Sequence, residues 1–148
     1  MFTHASWSDF RIIRAQLTGA SLEDATTTTR GRTIPYAVFA TPELARIGLS
    51  EGEAREAGLD VRITKVPTAA IPRAKTLRYA GDGFWKAVVD ANTHQILGAT
   101  LIGPNVSEVI TAVHVAMAGG LTYEQLRFLP IAHPTMGEGL QVLFDSLG

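Results

Sequence analysis

Two strand-like runs with only four residues between them constrain this chain more than any other feature. Residues 84–90 and 95–102 are rich in β-branched and apolar side chains, and Ala91-Asn92-Thr93-His94 is all that separates them. A connection this short joins antiparallel neighbours, because parallel strands need a crossover of a dozen or more residues. A hairpin is therefore expected. Ahead of it, residues 61–66 (Val-Arg-Ile-Thr-Lys-Val) alternate with period two, as a half-buried strand does. Residues 36–40 form a further strand candidate, closed by Thr41-Pro42. Pro67 and Pro72 bound an irregular stretch that runs through Thr76.

The period then changes. Ser50 and Glu53 have capping-box spacing and open a short helix that Gly58 ends. Asn105 and Glu108 have the same spacing, ahead of an apolar stripe of Val106, Val109, Ile110, Val113 and Met117 that Gly119-Gly120 stops. Thr122 and Gln125 open a shorter helix limited by Pro130, and Thr135 is expected to cap a terminal helix with Met136, Leu140, Leu143 and Phe144 facing inward. Strands followed by helices imply an α+β fold, an antiparallel sheet with helices packed on one face. Upstream, residues 5–18 read as a helix with Phe10, Ile13 and Leu17 at i, i+3 and i+7, ending near Gly19. Residues 19–33, with four consecutive threonines, read as a linker or extended arm. The expected organisation is an N-terminal helix and arm over residues 1–33 and a folded domain over residues 34–148.

A net charge of −1, with no basic block, sets aside nucleic acid and anionic membranes as partners. No apolar run approaches the ~20 residues that span a bilayer, the start lacks a signal-peptide pattern, and a cytoplasmic location is the default expectation. The absence of cysteine excludes disulfides and thiolate catalysis within these residues. Among the histidines, His94 is expected to be solvated in the hairpin loop, His114 to be a core or interface residue, and His4 to be frayed. No pair has metal spacing with a third ligand nearby, so no metal site is expected.

The segment Ile131-Ala132-His133-Pro134-Thr135-Met136-Gly137-Glu138 carries the chemistry. A histidine just before a helix, with a carboxylate one turn inside it, suits general acid/base work. The carboxylate accepts from one ring nitrogen, fixes the tautomer and stabilises the imidazolium, while the other nitrogen faces a reacting group. The competing reading is structural: Thr135 and Glu138 also have capping-box spacing, so Glu138 would simply bond backbone. The residues alone leave both open.

His-Pro-Thr-x-x-Glu near the C-terminus resembles the signature of the pyridine nucleotide-disulfide oxidoreductases, the glutathione reductase, dihydrolipoamide dehydrogenase and mercuric reductase-like flavoenzymes. The likeness extends through residues 34–51, Gly83-Phe84-Trp85-Lys86, Ile96-Leu97-Gly98-Ala99 and the stretch from Asn105 to Ala118, in the family's order. It is specifically the C-terminal dimerisation (interface) domain that these residues resemble. The resemblance implies that His133 is the acid/base partner of redox cysteines, that Glu138 orients it, and that it serves the active site of the other subunit of a homodimer. Phe2-Thr3-His4 resembles the end of the family's flavin-binding domain, on which Trp7, Phe10, Ile12 and Ile13 would normally pack. Residues 1–33 would then be a remnant of that domain, and in isolation would be free to pack on a neighbouring chain as a swapped element.

Departures from the family pattern are as informative. No Gly-x-Gly-x-x-Gly spacing is present to cradle a pyrophosphate, and the Cys-x4-Cys pair is missing. The chain therefore reads as a truncated fragment with no cofactor-binding residues of its own. FAD and NAD(P)H are implied only for an intact enzyme, bound by the flavin- and nucleotide-binding domains of a parent. The leading expectation is a dimerisation domain, inactive by itself. The alternatives are a stand-alone homodimeric interaction module without catalytic activity and a small independent acid/base enzyme built around His133.

Overall fold

The computed structural model describes residues 2–19 and 28–148. The chain divides into two compact units, Met1–Ile34 and Pro35–Gly148.

In the first unit, helix α1 (Thr3–Thr18) ends at Gly19, whose φ of 65° is the left-handed conformation that glycine adopts most readily. Ile12 and Ala15 are its buried residues, whereas Trp7, Phe10, Ile13 and Leu17 are exposed. Ile12 was expected on one face with Trp7, Phe10 and Ile13; at 3.6 residues per turn it points about 100° away from Ile13. His4 lies in the first turn, exposed, and its ring stacks on Phe2, centroids 5.4 Å apart. Arg32 ties the end of the arm to the helix, donating from Nη1 to Ser8 Oγ at 2.7 Å and pairing with Asp9 at 2.7 Å. Residues 20–27, the greater part of the expected linker, lie outside the described residues.

The second unit is built on a five-stranded sheet of order β1-β2-β5-β4-β3, with every neighbouring pair antiparallel. The strands are β1 (Tyr36–Val38), β2 (Glu43–Gly48), β3 (Val61–Pro67), β4 (Phe84–Asp90) and β5 (Ile96–Gly103). Between them and after them lie the helices α2 (Glu51–Glu56), α3 (Pro72–Thr76), α4 (Val106–Ala118), α5 (Tyr123–Arg127) and α6 (Gly139–Asp145). The stretch after β3, expected to be irregular, holds a 3-10 turn (Thr68–Ala70) and then α3, with Pro72 in its first turn where a missing N–H costs nothing. Strand β2 was not anticipated. Its residues Glu-Leu-Ala-Arg-Ile-Gly include few β-formers, and pairing on both sides, to β1 and to β5, supplies what propensity does not.

Alternation sorts the sheet into two faces. Ala45 and Ile47, Leu101 and Ala99, Trp85 and Ala87, and Val66 form the buried face, matched across the register by pairs such as Trp85 with Leu101 and Ile47 with Ala99. Helix α4 covers β2 and β5 on this face, and α6 covers β3 and β4. Val106, Val109, Ile110 and Val113 of α4 and Leu140, Leu143 and Phe144 of α6 complete the core. Lys86, between Trp85 and Ala87, points to the opposite face, where its Nζ lies 2.5 Å from Glu51 and brings α2 across the back of the sheet. Removing the core side chains from water supplies the main stabilisation, on the order of 25 cal/mol per Å² of apolar surface.

One helix start matches its expected chemistry and another departs from it. Ser50 and Glu53 form the full capping box at α2. Asn105 does not cap α4: with φ at 58° it is left-handed, away from the extended backbone that a side-chain cap uses. Glu43 of β2 caps instead, its Oε2 accepting from Ser107 N at 3.1 Å and from Ser107 Oγ at 2.8 Å. Polar bonds also fasten the chain's end to β3. Thr64 Oγ1 donates to Leu143 O at 2.7 Å and meets Ser146 Oγ, and Arg62 Nη2 donates to Leu147 O.

Candidate active site at the C-terminal turn

His133 sits in the turn that leads into α6, and its peptide bond to Pro134 is cis. Glu138 is the N-cap residue of α6, so the helix starts one turn later than Thr135 would have placed it. His133 Nδ1 and Glu138 Oε1 are 2.8 Å apart. An ionised carboxylate only accepts, so this contact assigns a proton to Nδ1 and leaves the lone pair of a neutral ring on Nε2. Nε2 makes no hydrogen bond among the described residues.

The two side chains occupy opposite environments. The His133 side chain is 68% exposed, while that of Glu138 is only 15% exposed. Glu138 Oε2 is fully buried, with no hydrogen-bond partner among the described residues. A sequestered carboxylate therefore holds the inner edge of an imidazole whose ring is open to solvent. That arrangement allows Nε2 to take a proton from, or return one to, a group approaching from outside the chain.

The capping-box alternative does not describe this turn. Glu138 spends Oε1 on His133 rather than on backbone. Thr135 does accept from Glu138 N, at 3.3 Å, but on the turn ahead of the helix, and its hydroxyl donates to Ala132 O at 2.7 Å. Gln141, which no local sequence pattern singles out, donates from Nε2 to Leu129 O at 2.7 Å and holds the incoming chain to α6. Beneath the turn, Gly139 lies so close to the indole of Trp85 that a Cβ would fall 2.5 Å from a ring carbon.

A second pair is present. His94 was expected to be solvated; its Nδ1 instead lies 2.5 Å from Glu124 Oε1, and its ring lies 5.5 Å from that of Tyr123. His94 O also accepts from Tyr123 N at 3.0 Å, so the hairpin loop is pinned to α5. Burial pushes the Glu124 carboxyl upward, but bonds from its own N–H, Thr122, His94 and Tyr123 outweigh it and leave the group below its ordinary value. No local pattern announces the pair, since its members are 30 residues apart. His114 is half-buried on α4.

At the turn from β5 into α4, where a helix N-terminus could receive a phosphate, the carboxylate of Glu43 already takes the backbone N–H of Ser107. Among the described residues no three His, Asp or Glu side chains cluster as metal ligands, and no helix is long and apolar enough to cross a membrane.

Comparison with known proteins gives a consistent picture. The family model described as the dimerisation domain of pyridine nucleotide-disulphide oxidoreductases matches residues 34–143. The probable pyridine nucleotide-disulfide oxidoreductase RclA of Escherichia coli is 41% identical over 144 residues, covering 97% of this chain and 32% of that protein. Dihydrolipoyl dehydrogenase of Bacillus subtilis is 40% identical over 105 residues, 71% of this chain and 22% of that protein. The structure of the HOCl-induced flavoprotein disulfide reductase RclA from Escherichia coli superposes with a TM-score of 0.90 at 39% identity, covering 100% of this chain and 33% of the other. The chain thus spans about a third of RclA and a smaller share of the dehydrogenase.

Proposed function

Because the chain belongs to the pyridine nucleotide-disulphide oxidoreductases through their dimerisation domain, we propose that it supplies the acid/base histidine of a FAD-dependent NAD(P)H disulfide oxidoreductase to the redox site of a partner subunit in a homodimer. The observation that carries this reading is the His133–Glu138 pair, a 2.8 Å contact between an exposed imidazole and a buried carboxylate. Glu138 fixes the ring and its tautomer, and Nε2 exchanges a proton with a cysteine thiol of the partner. By itself the chain is inactive: it holds no cysteine. Flavin and nicotinamide nucleotide belong to protein outside these residues. Residues 1–33 are the tail of a flavin-binding domain, whose remainder covers the exposed Trp7, Phe10 and Ile13 of α1, and residues 34–148 are the dimerisation domain.

The test begins with an immunoblot of source cells using an antibody raised against this domain. A band several-fold larger than the 15.9 kDa of these residues is expected. In that larger polypeptide, His133→Ala should slow thiol-dependent steps by roughly 10²–10⁴-fold while flavin absorbance is retained. Unchanged thiol-dependent turnover would overturn the assignment. A band only at the smaller size would leave a self-associating module without enzymatic activity.

A further inference from the structure

We infer that Thr135 is the positioning residue of the His133–Glu138 pair. The inference rests on the reading of that pair as the acid/base site. A single oxygen, Thr135 Oγ1, holds the chain on both sides of the histidine. It donates to Ala132 O, the carbonyl directly before His133, at 2.7 Å, and it accepts from the backbone N–H of Glu138 at 3.3 Å. The residue that precedes the imidazole and the residue that carries the carboxylate therefore hang on one hydroxyl, and the span between them is set there.

The surroundings make that hydroxyl decisive. Pro134 has no N–H to offer, so His133 and Thr135 are joined by a residue that cannot brace the turn with a hydrogen bond of its own. Met136, next along, is buried in the core and anchors the far side. Gln141 fixes the approach through Leu129 O at 2.7 Å. With both ends of the turn anchored, the position of Ala132 relative to Glu138 is the remaining adjustable quantity, and Thr135 fixes it. Glu138 has no second way to keep its orientation, because its Oε2 is buried without a hydrogen-bond partner among the described residues. If the turn relaxes, Oε1 loses Nδ1 and the preference of the ring for its Nδ1–H tautomer goes with it.

A threonine that only shapes a turn would affect stability and leave the imidazole alone, so the tautomer separates the two roles. The experiment is ¹⁵N NMR of histidine-labelled full chain at alkaline pH, where imidazoles are neutral, on the parent and on Thr135→Val, Thr135→Ala and Thr135→Ser. The parent is expected to show His133 mainly as the Nδ1–H tautomer. The Val and Ala variants should move the tautomer ratio roughly fivefold towards Nε2–H, the size of one lost neutral hydrogen bond, and Ser should restore the parental ratio. His94, paired through the same ring nitrogen to Glu124, serves as the reference and should not move. A parental ratio in both Val and Ala overturns the inference while leaving the acid/base reading intact. Equal changes at both rings, or unfolding of both variants, make Thr135 a structural residue and overturn it as well. If the parent ring has no Nδ1–H excess and Glu138→Gln changes nothing, the pair fails, and the proposed function and the role of Thr135 fall together.

Discussion

Two regions of this domain hold the same contact, histidine Nδ1 against glutamate Oε1, in different surroundings. In the hairpin region, His94 and Glu124 share their exposure fairly evenly, 41% and 31%. The His94 ring rests against Tyr123, and its carbonyl bonds Tyr123 N, so the pair fastens a loop to a helix. At the C-terminal turn the exposures diverge, 68% for His133 and 15% for Glu138. Distance does not separate the two pairs; the asymmetry of burial does, and it is this asymmetry that supports the acid/base role proposed for His133. A carboxylate withdrawn from water behind an open imidazole orients the ring and leaves its outer nitrogen open to solvent, whereas the His94 ring is already against Tyr123, tilted 45° to it.

The comparison can be broken at one end by crowding the helix under Glu138. Gly139→Val would drive its side chain into the Trp85 indole, where a Cβ alone already falls 2.5 Å from a ring carbon. A loss of about 1–3 kcal/mol in urea unfolding is expected, together with loss of the His133 tautomer preference and retention of that of His94. If both preferences survive, the start of α6 does not set the geometry of the pair. At the other end, His94→Ala removes the Glu124 contact and the ring contact with Tyr123, and should cost about 1 kcal/mol without disturbing the His133 signals. A stability equal to the parent's would mean that the hairpin pair fastens nothing.

Acid sharpens the same contrast. Glu124 lies below its ordinary value in the folded chain, because the hydrogen bonds made to the carboxylate exceed the upward push of burial. A depressed carboxyl stabilises the fold above its unfolded value, near 4.5, and this contribution is lost as pH falls through the lower folded value. Thermal unfolding followed from neutral pH downward should therefore show a decline below about pH 4.5 that Glu124→Gln reduces; an identical decline in that variant would remove Glu124 from the acid response. The smallest effect is expected at the exposed ring: His133→Ala removes a hydrogen bond to the Glu138 carboxylate, which water reaching the vacated Oε1 in part replaces, and should cost no more than about 1 kcal/mol of folding stability. A larger loss in urea unfolding would make His133 part of the scaffold.

What the sequence disclosed followed the range of the interaction. The hairpin was legible because a four-residue loop admits one topology, and the α4 stripe because Val106, Val109, Ile110 and Val113 repeat at helical spacing over several turns. His133 and Glu138 were legible as candidates from five residues of separation. Whether Glu138 bonds the histidine or the backbone was not, because it depends on where the helix begins and on Thr135 reaching back to Ala132. Strand β2 escaped notice because its place comes from β1 and β5 rather than from its own residues. Glu43 at Ser107 and His94 at Glu124 join segments 64 and 30 residues apart, and no local pattern encodes a partner that arrives only when the sheet has formed.

Arg62 joins the two regions. Its Nη1 donates to Tyr123 Oη at 3.1 Å, beside the ring that His94 rests on, and its Nη2 donates to Leu147 O, two residues past α6. One guanidinium thus touches the supports of both histidines. Removing Leu147, or attaching a bulky group directly behind Gly148, acts on this shared support, so either change should disturb both imidazoles together.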